Sequence, residues 1–260
     1  VELSGDSVGI RSDAEVKLMR RAGQIVCEIL DTLEEKTKPG VTTGELDAIA
    51  EKLIAKNKAK PAFKGYHGFP AVLCASINQE VVHGIPSKKR TLEEGDLLKL
   101  DFGVSYQGWF GDSARTVAVG KVSEAAAKLL AVTQQALNHA IKVCLEGRQL
   151  GDIGAAVQSH AELHGFNVVR DFTGHGIGRA LHERPQVPNY GHAGTGLKLK
   201  RGMTIAIEPM VNLGTEKNRD PRRRLDRGHA RRPALRALRA HRADHRRRPR
   251  DPHEALITCL

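Results

Sequence analysis

The chain has 260 residues, 40% of them hydrophobic, which suits a soluble protein with a sizeable core; it contains no apolar run of the roughly 18 residues that a membrane helix needs and no signal-length apolar stretch between Val1 and Arg11, so a cytoplasmic protein is expected. The net charge of +11 is unevenly spread: residues 217–260 carry fourteen arginines and Lys217 against five acids, a net of +10, which leaves the body nearly neutral and argues against a specific DNA partner. Its four cysteines form no Cys-x-x-Cys pair, which speaks against a thiolate zinc site, and they are too sparse in so long a chain for a disulfide scaffold.

Ser12-Asp13-Ala14-Glu15 has the spacing of a capping box, and Val16, Met19, Val26, Ile29, Leu30 and Leu33 follow at helical intervals until Lys38-Pro39-Gly40. Thr42 and Glu45 form a second box before Leu46, Ile49, Ala50, Leu53 and Ile54. Short apolar runs at Ala71–Ile77 and Val81–Ile85, on either side of Asn78-Gln79-Glu80, predict two strands and a turn. Leu97–Val104 predicts a strand, and Tyr106-Gln107-Gly108 a turn into a partner that ends near Val119. Helices are predicted over Ser123–Leu145 and Leu150–His164, with Gly147 and Gly165 ending them. Further strands are predicted at Phe166–Phe172 and Met203–Val211. The result is an α+β body with an antiparallel sheet and helices packed on one face.

Strand parity singles out three acids. Leu98, Leu100, Phe102 and Val104 share one face, so Asp101 points the other way. Asp112 lies opposite Val117 and Val119, and Glu208 opposite Ile205 and Ile207. Lone carboxylates in apolar strands are costly and call for a nearby cation. Histidines supply the complement: His175 among the glycines of Gly174-His175-Gly176-Ile177-Gly178, His182 seven residues on, and His83 before Gly84-Ile85-Pro86. Mixed carboxylate and imidazole donors suit borderline divalent cations, and carboxylates can bridge two of them. A serine-nucleophile elbow and a phosphate loop are both missing.

These residues fall within a longer pattern. Lys64-Gly65-Tyr66-His67-Gly68-Phe69-Pro70, Ser76-Ile77-Asn78, Val82-His83-Gly84-Ile85-Pro86, Leu100-Asp101 through Gly111-Asp112, Gly174-His175-Gly176-Ile177-Gly178 and Ile207-Glu208-Pro209 resemble, in order, the motifs of type I methionine aminopeptidases over roughly residues 12–215. The resemblance implies the pita-bread fold and a cytoplasmic metallo-exopeptidase. Its expected substrates are nascent polypeptides with N-terminal methionine and a small second residue, met near the ribosome, and its expected state is a monomer. It implies two divalent metal ions, drawn from cobalt, manganese, iron or zinc, on Asp101, Asp112, His175 and Glu208. It further implies that Glu208 moves the proton, that His83 and His182 contact the substrate and assist the reaction, and that Tyr66, Phe69, Cys74 and Leu181 line the methionine pocket. The implied organisation is an N-terminal arm over residues 1–11 and a catalytic domain over 12–216.

The family's fifth ligand, a glutamate in a Phe/Tyr-Glu-His-Thr setting, and its tryptophan in an Asp-Gly-Trp setting have no match; Trp109 lies in the first predicted hairpin. Residues 217–260 contain no Phe, Tyr, Trp or Val, a composition that fits a disordered basic extension or, better, a GC-rich gene read in a shifted frame, and Val1 fits a GTG start codon read literally. On that reading the catalytic domain is incomplete, activity is impaired, and the edge of the Thr204–Val211 strand is bare. Two alternatives carry less: prolidases, which add a large N-terminal domain, and a metal-free module binding ribosomal RNA through the arginine-rich segment.

Overall fold

A computed structural model of the chain describes residues 7–213 and the backbone of a short strand at Leu238–Arg239. Both capping boxes form. The Ser12 hydroxyl accepts the Glu15 N–H while the Glu15 carboxylate accepts the Ser12 N–H, and α1 runs Asp13–Lys36. Thr42 and Glu45 repeat this at the start of α2, Thr43–Lys56.

Helices α1 and α2 cover the first sheet. Its centre is β3 (Leu97–Tyr106), paired along its full length with β4 (Trp109–Ala118). The other edge of β3 takes β1 (Lys60–Pro61) and β2 (Cys74–Ile77), all antiparallel. Gln107 and Gly108 both have positive φ, 51° and 78°, as a tight two-residue hairpin turn requires. Leu98, Leu100, Phe102 and Val104 join Ile25, Ile29 and Leu33 of α1 in one core, on the face that parity predicts.

The second half pairs α3 (Glu124–Val143) with α4 (Leu150–Leu163). Five strands follow, β5 (Asn167–Val168), β6 (Gly174–Gly176), β7 (Glu183–Val187), β8 (Ile205–Ala206) and β9 (Met210–Asn212), and the helices share a core with Val168, Val187, Ile205, Ile207 and Val211. Strand β6 lies between β7 and β8, and β9 lies between β5 and β10 (Leu238–Arg239), again antiparallel.

Four expectations need correction. Val81–Ile85 is not a strand: Gly84 turns back on β2, its carbonyl accepting from Ala75 N at 2.8 Å and its N–H donating to Ser76 Oγ at 2.9 Å. Phe166–Phe172 holds only the two-residue β5. Met203–Val211 breaks into β8 and β9 around Ile207-Glu208-Pro209, because Pro209 has no N–H to give to a ladder. The edge of β9 expected to be bare is paired with Leu238–Arg239. Otherwise the proposed character of residues 217–260 lies outside the described residues, as does Cys259; among the described residues Cys27, Cys74 and Cys144 form no disulfide. Among the described residues no helix is long and apolar enough to cross a membrane.

One charge in the sheet is unusual. Lys99 is 2% exposed, its Nζ donating to Asn78 O at 2.7 Å, and burial pushes its pKa down to about 7 against a smaller opposing pull from Glu80. Between pH 7 and the ordinary lysine range the unfolded chain therefore binds a proton that the folded chain does not. The penalty is fully present at lower pH and fades as pH rises. We expect Lys99→Met to gain on the parent chain most at pH 6 and least at pH 10 when melting temperatures are compared; a gap that does not change with pH would refute this.

Candidate metal centre and substrate cavity

Cross-strand register puts two of the acids on one face. Asp101 pairs with Ala114 and Asp112 with Gly103, so the carboxylates occupy diagonal positions away from the α1 and α2 core. His175 reaches the same space from β6. A Cβ added to Gly174 would lie 2.2 Å from Ala206 O, and one added to Gly176 would lie 2.2 Å from Arg184 O. Only glycines there let β7 and β8 close on both sides of the histidine. Glu208 comes in from the break before Pro209.

Asp112, His175 and Glu208 form a group whose ligand atoms all lie within 4.8 Å of one another. His175 Nε2 is 3.1 Å from Glu208 Oε1 and 3.5 Å from Asp112 Oδ2. Its Nδ1 lies 2.8 Å from the Gly176 carbonyl, an acceptor only, so Nδ1 carries the proton and Nε2 turns to the carboxylates. Burial disfavours the imidazolium, but hydrogen bonds and attraction from Asp112 and Glu208 outweigh it and push the pKa up to about 10. The site therefore attracts positive charge strongly. Asp112 Oδ1 is buried and receives no hydrogen bond, as expected for an oxygen that ligates a cation. Two carboxylates and an imidazole fit a divalent transition metal. Asp101 is 5% exposed and borders the same space, but its oxygens are not within that distance of all three.

These groups open on a cavity of about 690 Å³. Its wall includes every residue singled out from the sequence: Asp101, Asp112, His175 and Glu208, the histidines His83 and His182, and the pocket residues Tyr66, Phe69, Cys74 and Leu181. The His182 ring stands edge-on to His175 at 4.3 Å, and its Nδ1 is 2.7 Å from the Tyr66 hydroxyl. His83 has φ 63° and meets the edge of Phe172 at 6.3 Å. Sequence reading missed Phe172, Gln186 and Tyr190, which also line the cavity. Gln186 is directly opposite His175 in the β6–β7 register, a pairing with no short-range sequence signal. Trp109 is where the hairpin reading put it, 1% exposed, and does not line the cavity.

Residues 17–231 match the family model for metallopeptidase family M24. A methionine aminopeptidase of Clostridium acetobutylicum is 52% identical over 206 residues, covering 79% of this chain and 82% of that protein. Among solved structures, methionine aminopeptidase from Thermotoga maritima aligns with a TM-score of 0.80 at 43% identity, over 81% of this chain and 85% of that one. A prolidase from Pyrococcus furiosus aligns at 0.67 and 25% identity, over 78% of this chain but only 57% of its own.

A divalent ion taking this site would have to displace a proton from His175, whose neighbours favour the charged form. Adding manganese or cobalt to metal-free chain in weak buffer near pH 7.5 should release about one proton per ion from this imidazole. The release should shrink as the starting pH nears the histidine's own pKa of about 10. A pH-stat titration measures it, and metal uptake with no proton release at neutral pH would contradict the assignment.

Proposed function

The chain belongs to metallopeptidase family M24, among its methionine aminopeptidases, and we propose that it removes the initiator methionine from nascent polypeptides by hydrolysis at a metal centre on Asp112, His175 and Glu208, with Asp101 completing a place for a second ion. The observation that carries this is the convergence of three buried ligands beside a cavity able to take an unbranched side chain. Cobalt, manganese, iron and zinc all suit the donor set. An ion held there supplies Lewis acidity towards the scissile carbonyl and lowers the pKa of water.

The remaining steps belong to the chain's own groups. Glu208 faces both the ligand cluster and the cavity, so it can take a proton from water and pass it to the leaving amine. The Tyr66 hydroxyl lies 2.7 Å from Nδ1 of His182; in the tautomer protonated on the other ring nitrogen the hydroxyl donates to Nδ1 and that nitrogen is available to donate to the developing oxyanion. His83, which lines the same cavity, is assigned the contact with the peptide nitrogen. Tyr66, Phe69, Cys74 and Leu181 enclose the methionine thioether, whose flexibility and polarizability suit an apolar slot. A small second residue is accepted best, and the enzyme acts as a cytoplasmic monomer close to the ribosome.

The test is methionine release from a Met-Ala-Ser peptide with added cobalt or manganese, with metal content measured in parallel. We expect free methionine from Met-Ala-Ser, slower release from Met-Leu-Ser, and none after chelation. Glu208→Gln should reduce the rate about 10²- to 10⁴-fold. A chain rebuilt with a family-type C-terminus bearing the fifth carboxylate should run faster than the present one. A folded, metal-loaded chain that leaves Met-Ala-Ser intact refutes the proposal, and cleavage of Xaa-Pro dipeptides instead would favour the prolidase branch.

A further inference from the structure

Leu181 and His182 are carried by the irregular segment between Gly178 and Glu183, which is not part of any helix and joins β7 only at its end. A side chain from the far end of the sequence holds this segment. The Arg11 guanidinium donates through Nη2 to Glu183 Oε2, and both side chains are largely buried, at 13% and 12% exposed. The other oxygen of Glu183 accepts from Arg179 N at 2.7 Å and Ala180 N at 3.0 Å. One carboxylate thus closes the loop on itself and ties it to Arg11.

Arg11 is itself fixed. Its backbone N–H donates to Gly202 O at 2.7 Å, next to the segment that leads into β8. Its guanidinium carbon lies 5.4 Å from the centre of the Trp109 ring, and that of Arg179 lies 4.0 Å from it. Both ends of the strap therefore meet on the buried indole at the β3–β4 turn. The same hairpin holds the loop directly, since Phe110 N donates to Gly178 O at 2.9 Å. Trp109 shares a small apolar cluster with Met19, Ile177 and Leu181, and Tyr66 packs against it. The space is tight: a Cβ added to Gly178 would come within 2.3 Å of Arg11 Nη2.

We propose that Arg11, through Glu183 and against Trp109, is a positioning residue that sets where His182 and Leu181 stand relative to the metal ligands. The inference rests on the aminopeptidase reading for its catalytic consequence. The anchoring of the loop is independent of that reading. A planar, permanently charged fork suits the task, because it can bond a carboxylate and stack on an indole at once. Lysine offers a point charge without the stacking plane.

The test compares parent chain, Arg11→Gln and Arg11→Lys in full length, each loaded with manganese. Arg11→Gln should lower kcat on Met-Ala-Ser roughly ten- to a hundredfold, the size expected for misplacing a catalytic group. KM should change less, and manganese content should not change, because no metal ligand is touched. Hydrogen exchange at Arg179 and Ala180 amides should accelerate, and Arg11→Lys should recover part of both losses. Unchanged kcat with intact metal content, or a loss explained wholly by missing metal, overturns the proposal. If Arg11→Gln does not fold, Arg11→Lys against the parent chain decides by the same kcat and exchange readings. If the parent chain releases no methionine, the functional reading fails alone, and exchange at Arg179 and Ala180 still judges the strap.

Discussion

Asp101, Asp112 and Glu208 are each no more than 5% exposed, and negative charge at that depth persists only beside a cation or strong donors. Much of the structure around them answers this requirement. His175 is pressed between two of the carboxylates with its outer nitrogen fixed by the Gly176 carbonyl, so a proton on its inner nitrogen stands in the space proposed for a divalent ion. The flanking glycines have no side chains because two neighbouring strands must approach within contact distance to hold that histidine. Helix pairs seal the apolar faces of the sheets, and the acids project from the opposite faces. Removing the positive charge, whether proton or metal, would leave like charges facing one another in a medium that screens them poorly.

What could be read from sequence were features whose signals are local and periodic. The capping boxes work because a cap and its reciprocal partner are three residues apart, and both formed. Asp101 and Asp112 could be assigned to one face because strand side chains alternate strictly and the Gln107-Gly108 turn sets the register. The readings failed where a tertiary partner replaced the ladder. Val81–Ile85 has the composition of a strand. However, Ser76 Oγ, Ala75 N and the Arg90 guanidinium take up backbone groups of Gly84 and Ile85, and His83 just before them has a left-handed backbone and lines the cavity. The bond from Arg11 to Glu183 spans 172 residues, and no periodicity announces it.

A division of labour follows from these differences. Asp101, Asp112 and His175 sit on strands, and Glu208 sits between two of them, so their geometry is fixed by hydrogen-bonded ladders. The residues proposed to meet substrate mostly lie outside the ladders: Tyr66 in a single 3-10 turn, Tyr66–Gly68, and Phe69, His83, Leu181 and His182 in irregular segments. Cys74, at the start of β2, is the exception. Ladders hold ligands to the tolerance that metal coordination needs, but a loop has no such template and must borrow rigidity from side chains. Each loop shows its own loan. Tyr66 and His182 are joined by a bond at 2.7 Å, the His83 segment is pinned by Ser76 and Arg90, and the His182 segment is pinned by Glu183 and Arg11. On the proposed roles, a substitution in one of these ties would alter how substrate is held without touching a proposed metal ligand, so turnover and metal affinity should separate in this chain.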